Sequence, residues 1–211
     1  GGLEASLRRF AHYDYWDDAV RPSILVDSGA DLLMYGMGEH QIKELCTRLA
    51  NGENIKDIHD IRGTCYLTEP VNTPLGSAQC PSFEQVRDNK TEYAKATKIQ
   101  YDWQDEVYGK TVIQRHGKMM LVQNPPAYSL TTEELDYIYS LPYMKAYHPS
   151  YEELGGVPGI EEVRFSITHN RGCFGYCNFC SIALHQGRRV TCRSEKSILE
   201  EAEKITHMSG F

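Results

Sequence analysis

No run of this 211-residue chain is apolar for long enough to cross a bilayer, and its start carries no signal-peptide pattern. No membrane partner is therefore expected. Excess basic charge is also missing: the net charge is −7, so the electrostatic footprint of a nucleic-acid binder is absent. Internal repeats and low-complexity tracts are lacking too. The seven cysteines form an odd count with no disulfide-like distribution, which points to a reducing, cytoplasmic location. An initiator methionine is absent, and one helical pattern at most follows the last motif before Phe211. Both ends read as cut from a longer protein. What remains is a composition of 41% hydrophobic and 10% aromatic residues, enough for one large globular domain or two small ones.

Periodicity divides the chain in three. Residues 1–67 read as the tail of an α/β unit. A helix is predicted from Asp17 to Ser28 and a buried strand over Asp31–Tyr35. A glycine turn follows at Gly36-Met37-Gly38, and Ile42, Leu45 and Leu49 mark a helix ending at Asn51-Gly52. Strand, glycine turn and helix in that order suggest a doubly wound fold. Gly36 and Gly38 could cradle a phosphate, but a lone glycine turn is weak evidence and a tight strand-to-helix turn is the commoner reason for such a pair. Residues 68–160 are less regular. Ser82 and Gln85 have capping-box spacing, which predicts a long helix from Phe83 to about Glu106. Thr111–Gln123 reads as a hairpin turning at His116-Gly117-Lys118, and Thr132 opens a helix that stops near Pro142. The stretch 143–158 reads as a connection. In residues 161–211, Val163, Phe165 and Ile167 alternate with polar neighbours and predict a strand. Ser194 then caps a helix faced by Ile198, Leu199, Ala202 and Ile205.

Between that strand and that helix lies the run Arg171-Gly172-Cys173-Phe174-Gly175-Tyr176-Cys177-Asn178-Phe179-Cys180. Three thiolates spaced CxxxCxxC on one loop can hold three corners of a cubane iron–sulfur cluster and leave the fourth iron open. The spacing differs from the four-cysteine runs of ferredoxins, which disfavours a simple electron carrier. Zinc is the rival metal, with Cys192, His169 or His185 as a fourth ligand and the protein as a zinc-stabilised binding module. Such sites are usually built from two separated ligand pairs, and no second pair is evident here. Reactive groups of β/α barrels sit on loops at the C-terminal ends of strands, where this loop is expected to be.

The loop resembles the signature of the radical S-adenosylmethionine (SAM) superfamily. Further stretches resemble the YgiQ-like family within it: Gly1 to Trp16, Asp31 to Glu39, Asp57 to Thr64, and His185-Gln186-Gly187-Arg188-Arg189 with Arg193-Ser194. The resemblance implies an α/β protein: the C-terminal part of a Rossmann-like unit related to cobalamin-binding domains, then the first β/α unit of a partial β/α barrel. The expected segments are 1–67 (Rossmann-like), 68–160 (helix and hairpin connection) and 161–211 (start of the barrel). It further implies a 4Fe–4S cluster held by Cys173, Cys177 and Cys180, and SAM with its adenine beside the backbone of Phe179. Activity would be hydrogen abstraction by a 5′-deoxyadenosyl radical from an unknown substrate, with flavodoxin or ferredoxin as reductant. The cobalamin motif Asp-x-His-x-x-Gly is not matched; Asp57-Ile58-His59 with Gly63 has one residue too many. The glycine-rich segment that grips the SAM amino group would lie past Phe211, so this chain is expected to assemble a cluster but not to turn over SAM efficiently.

Other residues carry weaker expectations. Arg188, Arg189 and Arg193 could pair with the SAM carboxylate or be solvated loop arginines. Arg8, Arg9, His12, Asp14 and Trp16 form a polar–aromatic group that could face the site, with packing and ion pairing the commoner outcome. Glu39 suits a helix N-terminus. Cys46 and Cys65 are expected in the core, Cys80 and Cys192 in loops.

Overall fold

A computed structural model describes all residues 1–211. It places nine short strands in three sheets: β1 (His12–Asp14), β2 (Ala19–Arg21), β3 (Leu33–Met34), β4 (Thr64–Thr68), β5 (Ala78–Gln79), β6 (Val112–His116), β7 (Met119–Gln123), β8 (Asn170–Arg171) and β9 (Thr191–Cys192). The chain forms two compact units. One comprises Gly1–Ser129 with Gly172–Arg189, the other Leu130–Arg171 with Val190–Phe211.

The first unit is α/β, built on a five-stranded mixed sheet of order β3-β4-β7-β6-β5. The connections dictate this order. Gly117, in the left-handed region at φ 59°, makes the two-residue turn that joins β6 to β7, so that pair is antiparallel. Between β5 and β6 run the helices Phe83–Asp88 and Lys90–Asp102, a crossover that makes their pairing parallel. Three of the four pairings are antiparallel, whereas the doubly wound unit expected for residues 1–67 would be parallel. The expected division at residues 67 and 68 falls inside β4, whose ladder with β7 joins both segments in one sheet.

Alternation along the strands feeds two apolar layers. Cys65, Val112 and Leu121 face a core completed by Phe10, Leu25, Val86 and Ala96, while Tyr66, Ile113, Met120 and Val122 form the opposite cluster. Each fully buried Leu or Val contributes roughly 1.5–3 kcal/mol over exposure.

Several predicted elements are corrected. Residues 17–28 are not one helix: β2 occupies Ala19–Arg21, Pro22 interrupts, and a short helix Ile24–Ser28 starts under the Ser23 cap. The long helix from Phe83 breaks at Asn89, whose extended backbone and side chain cap a second helix at Lys90, while the Ser82–Gln85 capping box forms as expected. In Glu39–Ala50 the buried residues are Gln41 and Leu45, leaving Ile42, Leu49 and Cys46 exposed. Cys46 is therefore not a core residue. Cys80 does lie in a loop, directly after β5, and is buried there, whereas Cys192 is an exposed residue of β9 and not of a loop.

The second unit pairs helix Thr132–Ser140, capped by Thr131 and Glu134, with helix Glu195–Thr206, capped by Ser194. Its centre is ionic. Arg193 bonds Glu201 and Ser197 and lies 4.3 Å from the Tyr139 ring, and Lys145 reaches Glu201 at 2.6 Å. Burial alone would raise the Glu201 carboxyl; hydrogen bonds from Lys145 and Arg193 outweigh it and hold the group below the usual range. The strand expected over Glu162–Thr168 does not form. Ile160–Val163 is a turn of helix, Val163 is exposed, and the segment has no ladder partner to make alternation productive.

His116 supplies a pH test of the first unit. Its ring is buried against Phe83, with Nε2 3.1 Å from Gln114 Oε1 and Nδ1 unpartnered. Burial pushes its pKa down to about 4, against a smaller opposing pull from Glu84. An unfolded chain takes up this proton below about pH 6.5 and the folded chain does not until near 4, so stability is intact above that window and falls with pH through it. Urea titrations at about pH 7 and about pH 4.5 should show the native protein losing about 2–3 kcal/mol more than His116→Gln between the two. Equal losses would mean that the ring is solvated.

Candidate cysteine-loop site

The cysteine run lies between β8 and β9 in sequence but belongs to the first unit, as part of Gly172–Arg189. Gly172, at φ 86°, starts the loop, and its N–H donates to Gln186 Oε1 at 3.1 Å. The Cys173 N–H donates to the Gly187 carbonyl at 3.1 Å, which closes the loop on itself, and the Cys180 N–H donates to the Cys177 carbonyl at 2.9 Å. A short helix, Ile182–Gln186, carries the chain out.

Polar contacts anchor this segment to the sheet. Arg9, buried at 2% exposure, donates from Nε to Gln123 Oε1 of β7 at 2.5 Å and from its other nitrogens to the Ser6 carbonyl and Gln104 Oε1. Gln104 in turn donates to the Leu184 carbonyl at 3.3 Å. Ser6 Oγ lies 2.8 Å from His185 Nδ1 and accepts the Gly36 N–H at 2.9 Å. That bond uses the Gly36 amide internally, tying the glycine turn to the first helix.

The thiols occupy unequal settings. Cys177 is exposed, and Cys173 and Cys180 are half-buried. A Cβ added to Gly175 would sit 3.5 Å from Cys173 Sγ and 3.8 Å from Cys177 Sγ, so these two sulfurs border one side-chain-free position. Nowhere in the chain are three or more His, Cys, Asp or Glu side chains gathered as a metal-binding group. The structure therefore brings two of the three cysteines to a common glycine and does not converge all three. It also gives zinc no assembled site: His185 is engaged with Ser6, while His169 and Cys192 belong to the second unit. Phe179 projects into solvent at 93% exposure. The buried thiols are chemically different, since burial pushes Cys65 and Cys80 up to about 12, where they stay protonated and cannot serve as thiolate ligands.

Each of the three arginines singled out in sequence has a partner within the chain, although Arg189 remains exposed to solvent. Arg188 stacks on Tyr101 and Tyr176, Arg189 pairs with Glu106 at 3.2 Å, and Arg193 is committed to Glu201. Of the N-terminal group, Arg8 pairs with Asp27 and Glu4, Arg9 is buried, and Trp16 is exposed. Sequence reasoning missed Ser6, Tyr101, Gln104 and Tyr176. Tyr176 alone carried a local signal, its place between two cysteines.

Comparison with known proteins extends this picture. The family description "Radical SAM N-terminal" matches residues 1–166, ending just before the cysteine loop. The whole chain is 53% identical to a UPF0313 protein of Clostridium botulinum, covering 33% of that relative. It is 54% identical to one from Methanocella arvoryzae, covering 35% of it, and 55% identical to one from Clostridium perfringens, covering 32%. The chain thus spans about a third of the length of the curated relatives it matches. No solved structure matches it. No helix is long and apolar enough to cross a membrane. With most of its length described by that one family, the chain belongs to the radical SAM N-terminal family.

Proposed function

We propose that this chain carries the cluster loop of a radical SAM enzyme, with Cys173, Cys177 and Cys180 as ligands of a 4Fe–4S cluster and the backbone at Phe179 beside the adenine of bound SAM. The observation that carries the reading is that the Cys173 and Cys177 sulfurs both border the Gly175 position, 3.5 and 3.8 Å from where a Cβ would stand, so the first two thiols of the motif lie about one side-chain-free turn. The donor set fits: three soft thiols on one closed loop, without a fourth cysteine at ferredoxin spacing. The chemistry that cluster and SAM supply together is one-electron cleavage of a carbon–sulfur bond, the source of a 5′-deoxyadenosyl radical. The chain's own part is to hold the loop. Cys173 is tied to Gly187, and the helix after the loop is tied to Ser6 and Gln104. Bringing Cys180 to the other two sulfurs is the ordering that ligand binding would complete.

On the same reading the substrate is unknown, a flavodoxin or ferredoxin supplies the electron in the cytoplasm, and residues 161–211 begin a partial β/α barrel after a Rossmann-like unit. Support for the last point is the sequence resemblance. Anaerobic reconstitution with iron and sulfide tests the proposal. About four irons and four sulfides per native chain are expected, with a cluster EPR signal on reduction and near-complete loss of both when Cys173, Cys177 and Cys180 are changed to Ala. Tightly bound zinc without a cluster would overturn it.

A further inference from the structure

Tyr176 is the one residue between Cys173 and Cys177 whose backbone is held in the left-handed region, at φ 46°. That conformation is an outlier for a bulky side chain and persists only where the surroundings hold it. The surroundings are visible. The Arg188 guanidinium carbon lies 4.1 Å from the Tyr176 ring centroid and 4.4 Å from that of Tyr101. The two rings meet edge to face at 4.4 Å, with an interplanar angle of 81°. Arg188 also donates to the Tyr101 carbonyl at 2.8 Å, which fixes the cation to the helix Lys90–Asp102. The Tyr176 hydroxyl and Arg188 Nε are buried without hydrogen-bond partners, so ring contact and cation–π attraction hold the trio, not a hydroxyl bond.

We infer that Arg188, Tyr101 and Tyr176 form a clamp that pins the centre of the cysteine loop to that helix, making Tyr176 a positioning residue for Cys173 and Cys177. Where sequence alone suggested a ligand for SAM, Arg188 acts on the loop itself. The clamp sets the spacing of the first two thiols before any metal arrives. The inference rests on the cluster reading only for its consequence in the loaded protein; the clamp itself can be read without metal.

The test uses the full chain, metal-free and then reconstituted, in native form and as Tyr176→Ala, Tyr176→Phe and Arg188→Gln. In the metal-free protein, amide hydrogen exchange over residues 173–180 should rise about tenfold in Tyr176→Ala and Arg188→Gln, the factor expected for losing a partly desolvated cation–π contact. Tyr176→Phe keeps the ring and should exchange as native, because the hydroxyl makes no bond. Unchanged exchange in both disruptive variants, with native circular dichroism, overturns the clamp. After reconstitution the disruptive variants should hold less iron and give a broadened EPR signal, both restored in Tyr176→Phe; native iron content and line shape in Tyr176→Ala would overturn the positioning role. If no variant and not even the native chain takes up a cluster, the cluster reading fails while the exchange data still decide the clamp.

Discussion

Replacing Arg9 with methionine should lower the unfolding free energy by about 3–5 kcal/mol, a large part of what a domain of this size has to lose. The guanidinium is buried and serves three acceptors: Gln123 on β7, the Ser6 carbonyl and Gln104. It also lies 4.8 Å from the Tyr35 ring. Methionine fills much of the volume but satisfies none of the acceptors, and each stays buried without a donor. Arg9→Lys restores the charge but not the planar fork, so it should recover less than half of the loss. Denaturant midpoints of the three proteins measure this. A methionine variant within about 0.5 kcal/mol of native would show that the network is not built as described. Because Gln104 passes the contact on to Leu184, the same variant should loosen the helix that follows the cysteine loop.

Gly109→Ala is expected to cost about 3 kcal/mol for a different reason, namely that the obstruction is backbone. A Cβ there would lie 2.2 Å from the Asp105 carbonyl oxygen, 2.8 Å from the Trp103 carbonyl oxygen and 2.8 Å from Pro126 Cδ. No rotamer change relieves the two oxygens. The turn is already fixed, with the Asp105 carboxylate accepting the Val107 and Tyr108 N–H groups at 2.8 and 2.7 Å. These bonds, Tyr108 first, hold that carboxyl below its ordinary range. Moving the turn would also shift Glu106, which accepts the Ser129 N–H at 2.7 Å and pairs with Arg189. Gly159→Ala is the control: nothing lies within 4 Å of its added Cβ and its backbone is already helical, so a gain of about 0.4–1 kcal/mol is expected. Thermal melts of both variants would separate a steric cost from a generic one.

Local chemistry was readable wherever the deciding partner lies a few residues away. The hairpin at Gly117, the Ser82 box and the Ser194 cap each depend on neighbours within four positions, and all three form. Misreadings arose where distant packing decides. Ile42 looked like a core residue by spacing, yet Gln41 is the buried one, with its side-chain amide bonded to the Tyr35 carbonyl. Glu162–Thr168 alternates like a strand but finds no strand beside it. At the site, the thiols and Gly175 were legible in their spacing. Tyr101 and Gln104 were not, because they come from a helix and turn far upstream whose sequence gives no sign of what they touch.

The division into two units has a consequence for the thread of the chain itself. Backbone passes from one unit to the other after Ser129, after Arg171 and after Arg189, so neither unit is a continuous stretch. The two later passages leave from the ends of β8 and β9, whose Asn170–Cys192 and Arg171–Thr191 pairings fasten both ends of the cysteine segment like a drawstring. A single cut after Arg171 would therefore do damage on both sides. The helix that meets Ser6 and Gln104, and the strand that pairs with β8, would then be held to the residues before the cut by non-covalent contacts alone.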